Sequence, residues 1–129
     1  MKLSRTTGYA LQAALQLAQA EPGTPVPCSR LASAGEMPER FLLQILRSLV
    51  MHDVLQSTRG VDGGYCLKRP AAETSLLDII EAVDGPLALV VPEDHLPAEL
   101  SEHLRTSLAE VCERLRKQLD GVKLASIIG

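Results

Sequence analysis

The sequence predicts a mainly α-helical chain with one small β-hairpin and a long C-terminal helix. Three observations carry this. Apolar residues recur at helical spacing along most of the 129 residues. Aromatic residues make up only 2%, with no Trp and one Phe, so the core must be built from Leu, Ile, Val and Ala. The helical period breaks once, over residues 54–68, where two short runs flank a glycine-rich stretch. With 46% hydrophobic and 22% charged residues, the chain has the composition of one globular domain, which excludes disordered and low-complexity classes.

Each element follows from local chemistry. A first helix is expected over residues 3–19, with Ser4 as its N-cap and Leu11, Ala14, Leu15 and Ala18 on one face. Pro22, Gly23, Pro25 and Pro27 enforce a loop. A short helix over residues 28–34 is expected to stop at Gly35. Pro38 suits the first turn of the next helix, residues 38–51. Its stripe is Phe41, Leu42, Ile45, Leu46, Leu49 and Val50, while Glu39, Arg40, Leu43, Gln44, Arg47 and Ser48 face away. Strands are expected over residues 54–58 and 65–68, joined by a loop with three glycines. Thr74 or Ser75 caps a further helix that buries Leu76, Leu77, Ile79, Ile80 and Val83 and stops at Gly85-Pro86. Residues 87–95 read as a mobile connection. From Pro97 a helix of about six turns carries Leu100, Leu104, Leu108, Val111, Leu115 and Leu119, with Cys112 beside them; Gly121 ends it, and residues 122–128 add a last turn. The organisation is residues 1–86, a connecting loop over 87–96, and a terminal helix with its last turn over 97–129.

The net charge of −3 is unevenly spread. Residues 1–69 sum to +3 and residues 70–129 to −6, so a basic half can face phosphates while an acidic half faces elsewhere. No apolar run reaches the ~18–20 residues of a membrane span, and a soluble, cytoplasmic protein is expected. Three widely spaced cysteines, Cys28, Cys66 and Cys112, do not read as a disulfide framework; apolar packing is the expected role of each. No glycine-rich phosphate loop precedes a helix and no nucleophile–histidine pairing stands out, so an enzyme is not expected.

Two helices joined by a tight turn, then a glycine-tipped hairpin, make a winged helix-turn-helix. A major groove admits one helix whose exposed side chains meet base edges. An Arg at a wing tip suits a narrow minor groove, where negative potential is concentrated. Arg59 stands at that position. A six-turn apolar stripe on so small a domain makes a second copy the natural partner, the alternative being that Leu100–Leu119 folds back on its own domain.

The ordered set Met1-Lys2-Leu3-Ser4, Tyr9-Ala10, Pro38-Glu39-Arg40-Phe41-Leu42, Ser57-Thr58-Arg59-Gly60, Gly63-Gly64-Tyr65 and Leu77-Asp78-Ile79-Ile80-Glu81-Ala82-Val83 resembles the Rrf-two family of bacterial winged-helix regulators. The resemblance is collinear to about Pro86 and looser beyond. It implies a homodimeric regulator, expected to be a repressor, on a palindromic DNA operator. Arg40, Leu43, Gln44 and Arg47 would meet bases in the major groove. Arg59, with Gly60, would enter the minor groove, and Ser4, Arg5, Ser57 and Thr58 would position phosphates. Leu100, Leu104, Leu108, Val111, Cys112, Leu115 and Leu119 would form the dimer seam, where Cys112 could meet its own copy.

The chain departs from that pattern in places. Members that sense through an iron–sulfur cluster carry three Cys before the dimer helix; residues 87–103 hold none, so no cofactor is expected. A metal site from Asp94, His95 and His103 is conceivable, but solvated residues around a helix start are the expected reading. Leu43 stands where cluster-assembly regulators have an acid, so it would touch a thymine methyl instead of accepting from cytosine. Asp53 replaces a turn glycine, a place where Asp can hold left-handed geometry. Val61-Asp62 replaces Pro-Gly in the wing and puts a negative charge near phosphates. A protein or small-molecule effector is compatible with the sequence. The rival readings are a winged helix used only for protein contact, and a metal or cluster sensor with atypical ligands.

Overall fold

A computed structural model describes residues 2–129; Met1, part of the amino-terminal motif, lies outside them. The order is α1 (Arg5–Gln19), α2 (Cys28–Gly35), α3 (Glu39–Met51), β1 (Leu55–Thr58), β2 (Gly64–Leu67), a 3-10 turn (Ala71–Glu73), α4 (Leu76–Asp84), α5 (Ala98–Gly121) and α6 (Leu124–Ile128). This is the mainly helical, winged arrangement that the periodicities predict.

The core joins small faces to large ones. Ala10, Ala13 and Ala14 of α1 let Leu42, Leu46 and Leu49 of α3 and Ile79 of α4 approach closely; all are fully buried. Ser4 caps α1 as expected, its Oγ accepting from the Thr7 amide at 3.1 Å. Ser75 caps α4 in a reciprocal box, with Asp78 N donating to Ser75 Oγ at 3.0 Å and Ser75 N donating to Asp78 Oδ2 at 2.9 Å.

The turn between α2 and α3 corrects one expectation. Gly35 is the last helical residue, and the left-handed residue that closes α2 is Glu36, at φ 52°. Gly35 serves packing instead: a Cβ there would fall 2.6 Å from Cε of the buried Met37. Asp53 does adopt left-handed geometry, at φ 60°, and its Oδ1 accepts from Lys68 Nζ at 2.7 Å. That ammonium holds the Asp53 carboxyl below its usual range. The pair therefore supports the fold above the ordinary carboxylate pKa and fades as pH falls through the lowered value.

The wing strands pair antiparallel, Leu55 opposite Leu67 and Thr58 opposite Gly64. The sequence did not reveal a third member. Val26, just before α2, bridges Tyr65 through two backbone bonds of 2.9 Å. Gly64 sits at φ 153°, and a Cβ there would run into the Val26–Pro27 peptide. Gly64→Ala should therefore detach the wing root, lowering stability by roughly 1–3 kcal/mol. Urea unfolding of the variant checks this.

The C-terminal part returns to the first. Leu76 N donates to Val122 O at 3.0 Å and Leu124 N to Thr74 O at 2.9 Å, which seats Leu124 in the main core, fully buried. Residues 97–129 thus share one core with residues 1–86. The connection expected to be mobile is tied at both ends. Leu87 N donates to Glu81 Oε2 at 2.7 Å, and Asp94 accepts from Leu96 N at 2.9 Å, Ser101 Oγ at 3.0 Å and Arg105 at 3.3 Å. The Leu96 amide and the Ser101 hydroxyl are the main reasons the Asp94 carboxyl is held low, and Arg105 adds to them.

Among the α5 residues assigned to a dimer seam, the structure separates three groups. Leu100, Leu104 and Val111 are exposed, at 55%, 39% and 53%. Cys112 is buried within its own protomer and its thiol donates to Leu87 O at 3.3 Å. The reason is that α5 packs on α4, with Arg116 paired to Glu81, and this turns the Cys112 side inward. Leu108, Leu115 and Leu119 are half-covered.

Candidate nucleic-acid interface

The left-handed turn at Glu36 sets α3 against α2 so that the Leu42–Leu46–Leu49 face is buried and the opposite face projects. Arg40, Gln44 and Arg47 are exposed on it, three and four residues apart, and Leu43 is half-exposed between them. These side chains form one row along the outer face of α3. Hydrogen-bonding groups and one apolar group in such a row match what base edges require.

The wing stands beside that row. A groove of about 670 Å³ lies between α3 and the hairpin, and Arg47 on one wall faces Ser57, Thr58, Arg59 and Gly60 on the other. The tip is a tight turn in which Gly63 N donates to Gly60 O at 3.0 Å, with Gly60 at φ 106°. That turn leaves Arg59 and Asp62 exposed and Val61 wholly so. Five of the residues assigned to DNA from sequence thus meet in one groove.

Ser4 and Arg5 lie apart from the groove, at the start of α1. Arg5 is one turn before Tyr9, and the Tyr9 ring meets Phe41 at the start of α3 edge-on, centroids 6.0 Å apart. Arg5 and the first turn of α3 therefore lie on the same side of the molecule. The Ser4 hydroxyl is already engaged. It caps α1 and lies 3.3 Å from the Asp84 carboxylate, which also receives the Thr7 hydroxyl. Its role in the fold is to fasten α1 to the end of α4.

Cys28 and Tyr65 also line the groove, which the sequence did not indicate. Strand alternation could have placed Tyr65 opposite Cys66, but the groove side was decided by the bridge to Val26. Burial, reinforced by Glu39, pushes the Cys28 thiol up, away from the low values that mark a reactive thiolate. Burial also raises Tyr65, with Cys28 adding and Arg47 opposing.

Residues 3–129 match the profile of the Rrf2 family, described as an iron-dependent transcriptional regulator. Over 90 residues the chain is 43% identical to a Mycobacterium tuberculosis protein assigned to the HTH-type transcriptional regulators; the match covers 70% of this chain and 56% of that protein, so the chain spans little more than half its length. It is 31% identical over 116 residues to the HTH-type transcriptional regulator CymR of Bacillus subtilis, covering 88% of this chain and 84% of CymR. The solved structure of that CymR, a global cysteine regulator, superposes with a TM-score of 0.74 at 28% identity, covering 98% of this chain and 95% of CymR.

Among the described residues, no donor set matches the iron of that family description: no three His, Cys, Asp or Glu side chains converge. Cys28 opens α2, Cys66 lies in β2, and Cys112 is buried in α5. Asp94, the acid best placed in the connection, has its carboxylate occupied by Leu96, Ser101 and Arg105. Nor is any described helix long and apolar enough to cross a membrane. Fold and sequence agree: the chain belongs to the Rrf2 (Rrf-two) family of transcriptional regulators.

Proposed function

We propose that the protein is a homodimeric repressor that reads a palindromic operator without a resident cluster. The observation that carries this is the groove that faces Arg47 of α3 toward Arg59 of the wing. With α3 in the major groove, Arg40, Gln44 and Arg47 reach base edges and Leu43 meets a thymine methyl. The wing then lies over the adjacent minor groove with Arg59 entering it, while Arg5, Ser57 and Thr58 hold phosphates. Ser4 contributes to phosphate positioning by fixing the start of α1.

The dimer is supported by the exposed part of the α5 stripe, Leu100, Leu104 and Val111, on a helix about 36 Å long at 1.5 Å per residue. Two copies joined there would present two recognition helices, and a symmetric protein reads a symmetric site. A dimer covering both half-sites in a promoter blocks polymerase, which is the basis for repression. Leu104→Asp, an outward change, should leave each protomer folded but yield monomers of 13.9 kDa by light scattering, with operator binding lost at the same protein concentration. A dimer that survives this change would refute the seam.

Asp62 lies exposed at the wing tip, one residue from the exposed Val61. Removing its charge in Asp62→Asn should tighten DNA binding by about 0.5–1 kcal/mol, the scale of one surface charge in high dielectric. Fluorescence anisotropy on the same operator reads this.

The test of the whole reading is selection of genomic fragments by the purified protein at near-physiological salt. Recovery of one short palindrome, bound with an affinity that falls steeply with salt, supports it. Absence of any DNA affinity would favour a protein-contact module.

A further inference from the structure

Behind the wing lies a second cavity, of about 390 Å³, to which α3 contributes no wall. Its volume falls in the range of small-molecule sites. Leu17 and Ala18, from the last turn of α1, and Cys66 and Leu67, from β2, give it an apolar side, and Gln56 of β1 lines it too, its Nε2 donating to Cys66 Sγ at 3.4 Å. Glu21, Lys68 and Arg69 also line it, and all three are exposed, which puts their charges on its solvent side. The cations are paired, Lys68 with Asp53 at 2.7 Å and Arg69 with Asp78 at 3.3 Å. Half-exposed pairs of this kind hold weakly, and each cation keeps further donors for an incoming carboxylate. Glu21 follows the carbonyl end of α1, so that side of the mouth is negative.

We propose that this cavity binds a free apolar α-amino acid and that its occupancy adjusts the wing. The chemistry selects this class. The interior asks for an apolar side chain, Lys68 and Arg69 ask for a carboxylate, and Glu21 asks for an adjacent ammonium. A simple carboxylic acid would face Glu21 uncompensated, and a simple amine would face two cations. The link to DNA is β2 itself. Tyr65 lines the DNA groove while the next residue, Cys66, lines this cavity, so one strand is the wall between them. A ligand that fits one wing position better than another shifts DNA affinity by that difference. Only this second half rests on the proposed DNA reading.

The first half is tested without DNA. The full chain is titrated with L-phenylalanine and followed through its amide resonances, with 3-phenylpropanoate and 2-phenylethylamine as comparators. Phenylalanine should shift Glu21, Cys66 and Leu67 saturably, and each comparator should bind roughly tenfold more weakly. The double variant Lys68→Gln, Arg69→Gln leaves the interior intact and should lose a similar factor. Ala18→Phe should fill the cavity and abolish binding; the double variant decides the matter should that one fail to fold. Unmoved resonances at these residues, shifts confined elsewhere, or 2-phenylethylamine binding as well as phenylalanine would overturn the site. The second half is read as operator affinity with and without saturating phenylalanine, expected to differ by at least about fivefold. Equal affinities, with amino-acid binding intact, would overturn the coupling alone. Absence of operator binding would count against the DNA reading and leave the site standing.

Discussion

Leu124→Ala should lower the unfolding free energy by roughly 2–5 kcal/mol, the range for emptying a well-packed leucine site. Leu124 is fully buried in the same cluster as Ala10, Leu46 and Ile79, although it lies close to the C-terminal end of the sequence. Its backbone is fixed independently by the bond from Leu124 N to Thr74 O, so the helix cannot easily collapse into the space left behind. A thermal melt at fixed protein concentration should fall by on the order of 10 °C. Ile127 supplies the control. It is on the same short helix but 47% exposed, and Ile127→Ala should stay within about 0.5 kcal/mol of the parent. Equal effects from the two changes would mean that α6 does not dock on the core.

Arg59→Ala should cost specific DNA binding about 1–3 kcal/mol. Arg59 leaves the wing between Thr58 of β1 and Gly60, exposed and with no ion pair among the described residues. Its charge is therefore available to the nucleic acid. A residue that enters a narrow minor groove reads groove width as well as charge. The loss should thus be larger on the selected operator than on random duplex, and the salt slope should drop by about one counterion. Equal losses on both duplexes would make Arg59 a phosphate contact. Unchanged affinity on both would remove the wing from the interface.

How much of this was legible depends on how local each cause is. The α3 stripe was readable because helix period and burial coincide at Leu42, Ile45, Leu46 and Leu49; Phe41, expected on the same stripe, is instead 44% exposed at its edge, against Tyr9. The wing was readable because Gly60, Gly63 and Gly64 mark a turn between alternating runs. Arg59 followed from that turn alone. Features set by distant partners were not readable. Gly35 looked like a helix stop, but its lack of a side chain serves Met37, and Glu36 takes the left-handed position. Cys112 shares the spacing of the α5 leucines, and only the packing of α5 on α4 turns it inward. Cys28 and Tyr65 enter the groove because Val26 pairs with the wing, a contact between residues 39 apart that no periodicity encodes. Asp94 looked like a solvated acid at a helix start; its three hydrogen-bond donors lie on both sides of Pro97.

The bridge from Val26 to Tyr65 has a further consequence. A hairpin tied to the scaffold at its root is stiffer than a free two-stranded ribbon. In any one seated position, little conformational freedom is then left at the wing root to lose on docking. On the proposed DNA reading, part of the adjustment then falls to the nucleic acid, whose minor groove must come to the wing tip. Sequences that bend or narrow easily there will bind best. Operator strength should therefore vary with flexible pyrimidine–purine steps at base pairs the protein never touches.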